Sequence, residues 1–144
     1  VSKGGVLLLM ANDQNNCELD NFNKLAGLFG IQFKKELKNP VVGKQYEQGL
    51  IKVPEGNLVF KKSRNLFLKE ISTLALNAPA QSVVNHNGDV VMAYSKYGKG
   101  TVFAVGDPWL YNEYVDGRRL PQSFNNLQAG DELIHWLLSQ VKKK

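Results

Sequence analysis

The chain is predicted to fold as an α/β domain with a mixed sheet, and three features of its 144 residues carry that prediction. Gly5 to Ala11 is an unbroken apolar run, followed by apolar residues at helical spacing and then by a second short apolar run, the strand, helix, strand order of a βαβ unit. Further on, Asn87-Gly88 separates two apolar runs, the strongest short signal of a β-hairpin. Helical spacing returns near the end, in a helix expected to pack on the sheet.

Taken in order, the first run ends in the polar cluster Asn12-Asp13-Gln14-Asn15-Asn16 and reads as a parallel strand buried on both faces. Leu19, Phe22, Leu25, Ala26, Leu28 and Phe29 follow helical spacing, with Asn15 and Glu18 placed to form a capping box and Gly30 to end the helix in the left-handed conformation. Ile31-Gln32-Phe33 resumes as a short strand, and its crossover from the first is expected to be right-handed. Between Lys34 and Gly56, Asn39-Pro40, Gly43, Gly49 and Pro54-Glu55-Gly56 punctuate a stretch read as surface loop and short edge structure. Asn57 to Phe60 forms a short apolar piece, and Ile71 to Leu76 a strand. The hairpin around Asn87-Gly88 and a turn at Tyr97-Gly98-Lys99-Gly100 lead into Thr101 to Gly106, an antiparallel meander added to the opening unit. Asn125 or Asn126 caps the final helix, whose Leu127, Ile134, Leu137, Leu138 and Val141 share one face, with Trp136 at its flank. One domain, residues 1–141, and a basic tail, 142–144, account for the chain.

Composition narrows the functions. With 43% apolar and 22% charged residues, a chain of this length buries about 68% of its extended surface, enough for a core without disulfides or structural metal. Cys17, His86 and His135 are too few and too scattered for a zinc site, so no metal is expected, and no cofactor motif is present. No run nears the roughly 20 apolar residues of a membrane span, and Val1 to Gly5 lacks the regions of a signal peptide. The net charge of +5 falls to +2 without Lys142-Lys143-Lys144, which gives no argument for nucleic acid.

The residues richest in chemistry follow the strand at Thr101 to Gly106. If that strand runs parallel to the first, Asp107 and Trp109 emerge at the same carboxyl edge as Asn12 and Asp13, where open α/β sheets bind ligands. There the aromatic faces of Trp109, Tyr111 or Tyr114 can stack on sugar C–H surfaces, while Asp107, Asn112, Glu113, Arg118 and Arg119 can bond hydroxyls or a carboxylate. The competing structural reading makes Asp107-Pro108 a helix start, with Trp109 and Leu110 covering the sheet. Paired carboxylates from Asp107, Glu113, Asp116 and Glu132 are weighed against solvated surface acids, and the latter reading is preferred. Cys17 lacks flanking glycines and has Glu18 beside it, which speaks against a nucleophile. His86 and His135 have no evident acidic partner in the sequence. The lysine clusters at Lys34-Lys35-Glu36-Leu37-Lys38 and Lys61-Lys62-Ser63-Arg64 read as solvated faces.

Lys69-Glu70-Ile71-Ser72-Thr73-Leu74 and the run from Lys96 to Tyr114 resemble a C-terminal domain attached to bacterial unsaturated rhamnogalacturonyl hydrolases, as do Gly4 to Met10, Phe22 to Leu25 and Phe29 to Ile31. The resemblance implies a flavodoxin-like, three-layer fold similar to class I glutamine amidotransferases, here without a Gly-x-Cys-x-Gly elbow. In such proteins the hydrolysis of unsaturated uronyl residues from pectin fragments belongs to a separate helical barrel. It therefore implies a non-catalytic accessory domain, partnered by an upstream helical-barrel domain, with weak saccharide binding at the 12–16 and 107–119 loops, no catalytic residue of its own, and a periplasmic or secreted setting. The alternatives are a small amidotransferase-like hydrolase and a purely structural interaction module, homo-oligomeric or otherwise.

Overall fold

A computed structural model describes residues 1–111 and 119–142, with Trp109 described by its backbone. The elements run β1 (Val6–Met10), α1 (Leu19–Ala26), β2 (Ile31–Phe33), β3 (Leu50–Lys52), β4 (Asn65–Phe67), β5 (Leu74–Leu76), β6 (Gln81–His86), β7 (Asp89–Tyr97), β8 (Gly100–Val105) and α2 (Asn126–Ser139), with 3-10 turns at Gly27–Phe29, Tyr46–Gly49 and Trp109–Tyr111. The main sheet has the order β1-β8-β7-β5-β2, with β6 paired to β7, and β3 and β4 form a separate antiparallel hairpin. β1 and β8 are parallel, while the other pairs are antiparallel. The domain is therefore mixed α/β, and β6, β7 and β8 form the expected meander.

Alternation along the strands explains the layers. Leu7 and Leu9 of β1, with Val102 and Ala104 of β8, join Leu19, Ala26 and Phe29 from α1 and the following turn. Val6, Leu8, Phe103 and Val105 project the other way, toward Ala129, Leu133 and Leu137 of α2 and Ile51 and Leu66 of the β3–β4 hairpin. Two bulges interrupt the β6–β7 ladder, where Val83 and Val91 are the extra residues, and they bring Val83, Val84, Val91 and Met92 into one cluster on the α2 side. Asn87 and Gly88 carry the hairpin turn with φ of 50° and 86°, as their dipeptide predicts.

Four expectations are corrected. β1 is an edge strand, with Val6 to Leu8 half-buried, because its apolar run reflects layers on both faces and carries no information on how many edges are paired. β2 does not complete a parallel βαβ unit. It pairs antiparallel with β5 at the far end of the strand order, and Gly30, at φ 75°, aligns the two through the Asn77 amide bonding to its carbonyl at 2.8 Å. The Lys34 to Gly56 stretch contains β3, with Ile51 and Val53 buried, so it is not only surface. Finally, α2 does not pack through its predicted face. Of that set only Leu137 is buried, while Leu127, Ile134, Leu138 and Val141 stay 63%, 40%, 62% and 43% exposed. The helix approaches the sheet through Asn126, Ala129, Gly130, Leu133 and Leu137, a stripe with small residues that hydropathy periodicity undervalues. A Cβ on Gly130 would lie 3.0 Å from the Leu110 carbonyl oxygen.

The predicted asparagine caps do a different task. Asn125 stands at the α2 N-cap, but its Oδ1 accepts the Arg64 and Asn65 amides, both at 3.0 Å. Buried Asn126 accepts the Phe67 amide at 2.8 Å and donates to the Phe67 carbonyl at 2.9 Å, imitating a neighbouring strand along β4. Replacing Asn126 with Ala should cost about 3 kcal/mol in urea denaturation, because a buried amide and carbonyl both lose a partner. Gly106 is the other tight point: a Cβ there would lie 1.6 Å from the Ser72 carbonyl oxygen. Gly106→Ala should lose about 4 kcal/mol or more, or fail to fold. Gly88→Ala, opposed only by its positive φ, should lose about 1 kcal/mol in the same assay.

Candidate functional site

Parallel pairing of β1 with β8, in the register Met10↔Val105, meets the condition on which the edge site depends. The Ala11 amide extends the ladder to the Val105 carbonyl at 3.1 Å. Asp13 and Asp107 lie just past this point, both fully buried. Asn12 is half-buried, and its Oδ1 accepts the Asp13 amide at 2.8 Å. Trp109 begins the 3-10 turn whose Leu110 enters the core, the packing role weighed for that residue in the sequence. Arg119 is exposed. Asn112, Glu113, Tyr114 and Arg118 lie outside the described residues, as does Asp116.

The 12–17 loop is held largely by its own turn, with the Gln14 amide also bonding to the Glu36 carbonyl at 3.2 Å. Asp13 accepts the Asn15 amide at 2.8 Å and the Asn16 side-chain amide at 2.7 Å, while its carbonyl accepts the Asn16 and Cys17 amides at 3.1 and 3.0 Å. Both of its carboxylate oxygens are thereby engaged in shaping the turn. Glu18, and not Asn15, is the N-cap of α1, accepting the Asp20 and Asn21 amides at 3.3 and 2.9 Å. Cys17 precedes the helix, and it lines a cleft of about 280 Å³ with Gln14, Asn15, Glu18, Leu19, Asp20 and Lys35.

Other groups considered in the sequence acquire partners. Glu132 accepts the amides of Lys61, Lys62 and Ser63 at 2.8, 2.6 and 3.1 Å. Burial works against its charge, but these three amides outweigh burial and hold the carboxyl below its ordinary value. A single acid thus ties α2 to the basic 61–64 turn, which also reaches the helix cap through Arg64. Tyr111 donates its hydroxyl to the Gly130 carbonyl at 2.7 Å, and burial with the nearby Asp131 charge pushes its phenol up to about 12. Contrary to expectation, His135 does have an acidic neighbour, Asp131, at 3.3 Å, and both side chains are largely in solvent. Lys34 and Lys38 both reach Asp89, at 2.9 and 3.4 Å, so this cluster is not simply a solvated face. Their mutual hydrogen bond and charge raise the Lys34 pKa and lower that of Asp89. Among the described residues no cluster of three His, Cys, Asp or Glu side chains could hold a metal ion, and no helix is long and apolar enough to cross a membrane.

Known structures share this fold. The chain superposes on the mmIFT52 N-terminal domain with a TM-score of 0.68 at 18% identity, covering 94% of this chain and 66% of that one. It superposes on the cytoplasmic protein STM1381 from Salmonella typhimurium LT2 with a TM-score of 0.66 at 14% identity, covering 99% and 58%. The chain thus spans under two thirds of either length, and at these identities the likeness concerns the fold. No protein-family model and no curated protein matches the sequence.

The edge residues Asp13 and Asp107 were found from the sequence by strand order alone. The Glu132 turn and the Lys34–Asp89 pair were missed, being 69 to 71 and 55 residues apart. Lys61-Lys62-Ser63-Arg64 offered a partial signal, since a short polar turn presents successive amides to an anion. Because the folded-state pKa of Glu132 is lowered, its contribution is full above the unfolded carboxyl's value and fades as pH falls through the folded one. Glu132→Gln should therefore cost about 1 to 2 kcal/mol at pH 7, and the gap from the parent should narrow toward pH 3 in urea titrations.

Proposed function

We propose that this chain is a non-catalytic accessory domain, of flavodoxin-like and amidotransferase-like descent, that docks onto a neighbouring domain of the same polypeptide. The observation that carries the reading is the outward stripe of α2, Leu127, Ile134 and Leu138, with Val141 just past its end and exposed Tyr111 beside Leu127 and Ile134. Beside it lies a shallow hollow of about 280 Å³ lined by Leu110, Tyr111, Leu127, Gly130, Asp131 and Ile134. Contiguous apolar surface of this kind marks interaction sites on soluble domains.

Magnitudes favour a tethered partner. Four aliphatic side chains, each roughly half exposed, yield about 4 kcal/mol on burial at about 2 kcal/mol per full side chain. That corresponds to a dissociation constant of about 1 mM, too weak for a free complex at micromolar concentration. A short linker supplies an effective concentration of the same order, so a tethered neighbour is docked about half of the time where a free one at micromolar concentration is not. By the resemblance of its sequence, the neighbour is the helical-barrel catalytic domain of an unsaturated rhamnogalacturonyl hydrolase acting on pectin fragments. Saccharide contacts, in this reading, belong to the β1/β8 carboxyl edge, because parallel pairing brings the 12–16 loop and Asp107 together there.

In the polypeptide carrying both domains, Ile134→Glu with Leu138→Glu should split one coupled calorimetric transition into two, while the isolated domain keeps its stability within about 0.5 kcal/mol. Unchanged coupling contradicts the docking reading. Titration of the isolated domain with unsaturated galacturonyl-rhamnose oligosaccharides should give weak heats that Arg119→Ala reduces, and no turnover; product formed by the isolated domain contradicts a non-catalytic role.

A further inference from the structure

The outer strands of the main sheet are not protected alike. β2 is closed on its free side by Asn23, whose Oδ1 accepts the Phe33 amide at 2.8 Å and whose Nδ2 donates to the Phe33 carbonyl at 2.9 Å. β6 is interrupted by its two bulges. Devices of this kind stop the edge of one sheet from pairing with another. β1 has neither. Its five residues, Val6-Leu7-Leu8-Leu9-Met10, carry no charge and no proline, and Met10 is 36% exposed.

The ladder with β8 fixes which backbone groups of β1 face outward. Gly5 gives its carbonyl to the Thr101 amide at 3.2 Å, and the Ala11 amide bonds to the Val105 carbonyl, so Leu7 and Leu9 between them also point their backbone groups at β8. Val6, Leu8 and Met10 therefore turn their N–H and C=O groups to the open side, and no described residue bonds to them there. The open stretch starts at Val6, because the Gly4 carbonyl on that side takes the Lys142 amide at 3.0 Å.

We propose that β1 is the docking edge for a second copy of this chain, the two strands pairing antiparallel across a two-fold axis at Leu8. That register sets Val6 opposite Met10 of the other copy, Leu7 opposite Leu9, and Leu8 opposite Leu8. Each copy brings three outward N–H and three outward C=O groups, and in this register all of them meet, as six bonds between the copies. Centred on Leu7 instead, Met10 meets Gly4, whose amide and carbonyl are already bonded to Val1 and Lys142. Centred on Leu9, Val6 meets Asn12, beyond the end of the strand. Facing side chains are apolar throughout, the favourable case for cross-strand pairs.

Charge selects the same arrangement. Exposed Lys3 and Lys142 stand at the amino end of β1, where residues 1–11 and 137–142 include no acid. Residues 12–20, which follow its carboxyl end, carry Asp13, Glu18 and Asp20 and no basic residue, Asp20 being paired with Lys35. Antiparallel pairing sets the basic end of one copy against the acidic end of the other. Because each copy uses the same patch, the assembly closes at two chains. This edge is separate from the outward stripe of α2 and does not rest on the docking reading.

The test is sedimentation equilibrium of the chain from about 1 µM to about 1 mM, with ¹H–¹⁵N NMR spectra over the upper part of that range. The mass should rise from that of one chain to that of two and no further. The amide protons of Val6, Leu8 and Met10 should move downfield with concentration, more than those of Leu7 and Leu9, which are bonded already. Met10→Pro removes an outward N–H and no bond to β8, so it should weaken dimerisation at least about tenfold while the circular dichroism spectrum is retained. Met10→Lys, which keeps the backbone donor but guards the edge with a charge, should also weaken it and serves if the proline variant does not fold. Ile134→Glu with Leu138→Glu should leave the dimer unchanged. A single-chain mass at every concentration, unchanged association in a folded Met10→Pro or Met10→Lys variant, or loss of the dimer in the α2 variant would overturn the proposal.

Discussion

Both halves of the core are built against β8. All six of its residues are buried, with Val102 and Ala104 facing α1 and Phe103 and Val105 facing α2. A strand buried on both faces must be apolar at successive positions, and Thr101 is the exception that keeps a partner, taking the Lys96 ammonium at 2.8 Å. The strand's two ladders set everything around it. Antiparallel pairing with β7 builds the meander, and parallel pairing with β1 sends the segments carrying Asp13 and Asp107 out at the same edge. Its exit is equally constrained, since Gly106 passes the Ser72 backbone where a side chain has no room.

Local signals were legible in the sequence, and long-range ones were not. The Asn87-Gly88 turn, the Gly30 stop and the strands β2, β7 and β8 each announce themselves within a few residues, because φ preference and alternation act over that distance. Pairing does not. The run in β1 could not reveal that one of its edges is open, nor could Ile31-Gln32-Phe33 reveal that β5 and not β1 is its partner. The orientation of α2 was misread for a physical reason: its contact stripe uses Ala129 and Gly130 to bring backbones close, leaving the larger Leu127, Ile134 and Leu138 outside. The same holds at the edge site, where strand order found Asp13 but not that both its carboxylate oxygens serve the turn.

The polar residues divide accordingly. Asn125, Asn126 and Glu132 stitch α2 to the β3–β4 hairpin and the turn between its strands through backbone groups, which leaves the opposite side of the helix free of structural duty. An apolar surface that the fold itself does not need is the basis of the proposed docking role.

Native-state hydrogen exchange tests the central position of β8 most directly. If both layers depend on this strand, the amides of Val102 to Val105 exchange only through global unfolding, with an opening free energy equal to that from urea denaturation. Exchange of those amides through a local opening several kcal/mol below the global value, while α1 and α2 remain protected, would contradict it.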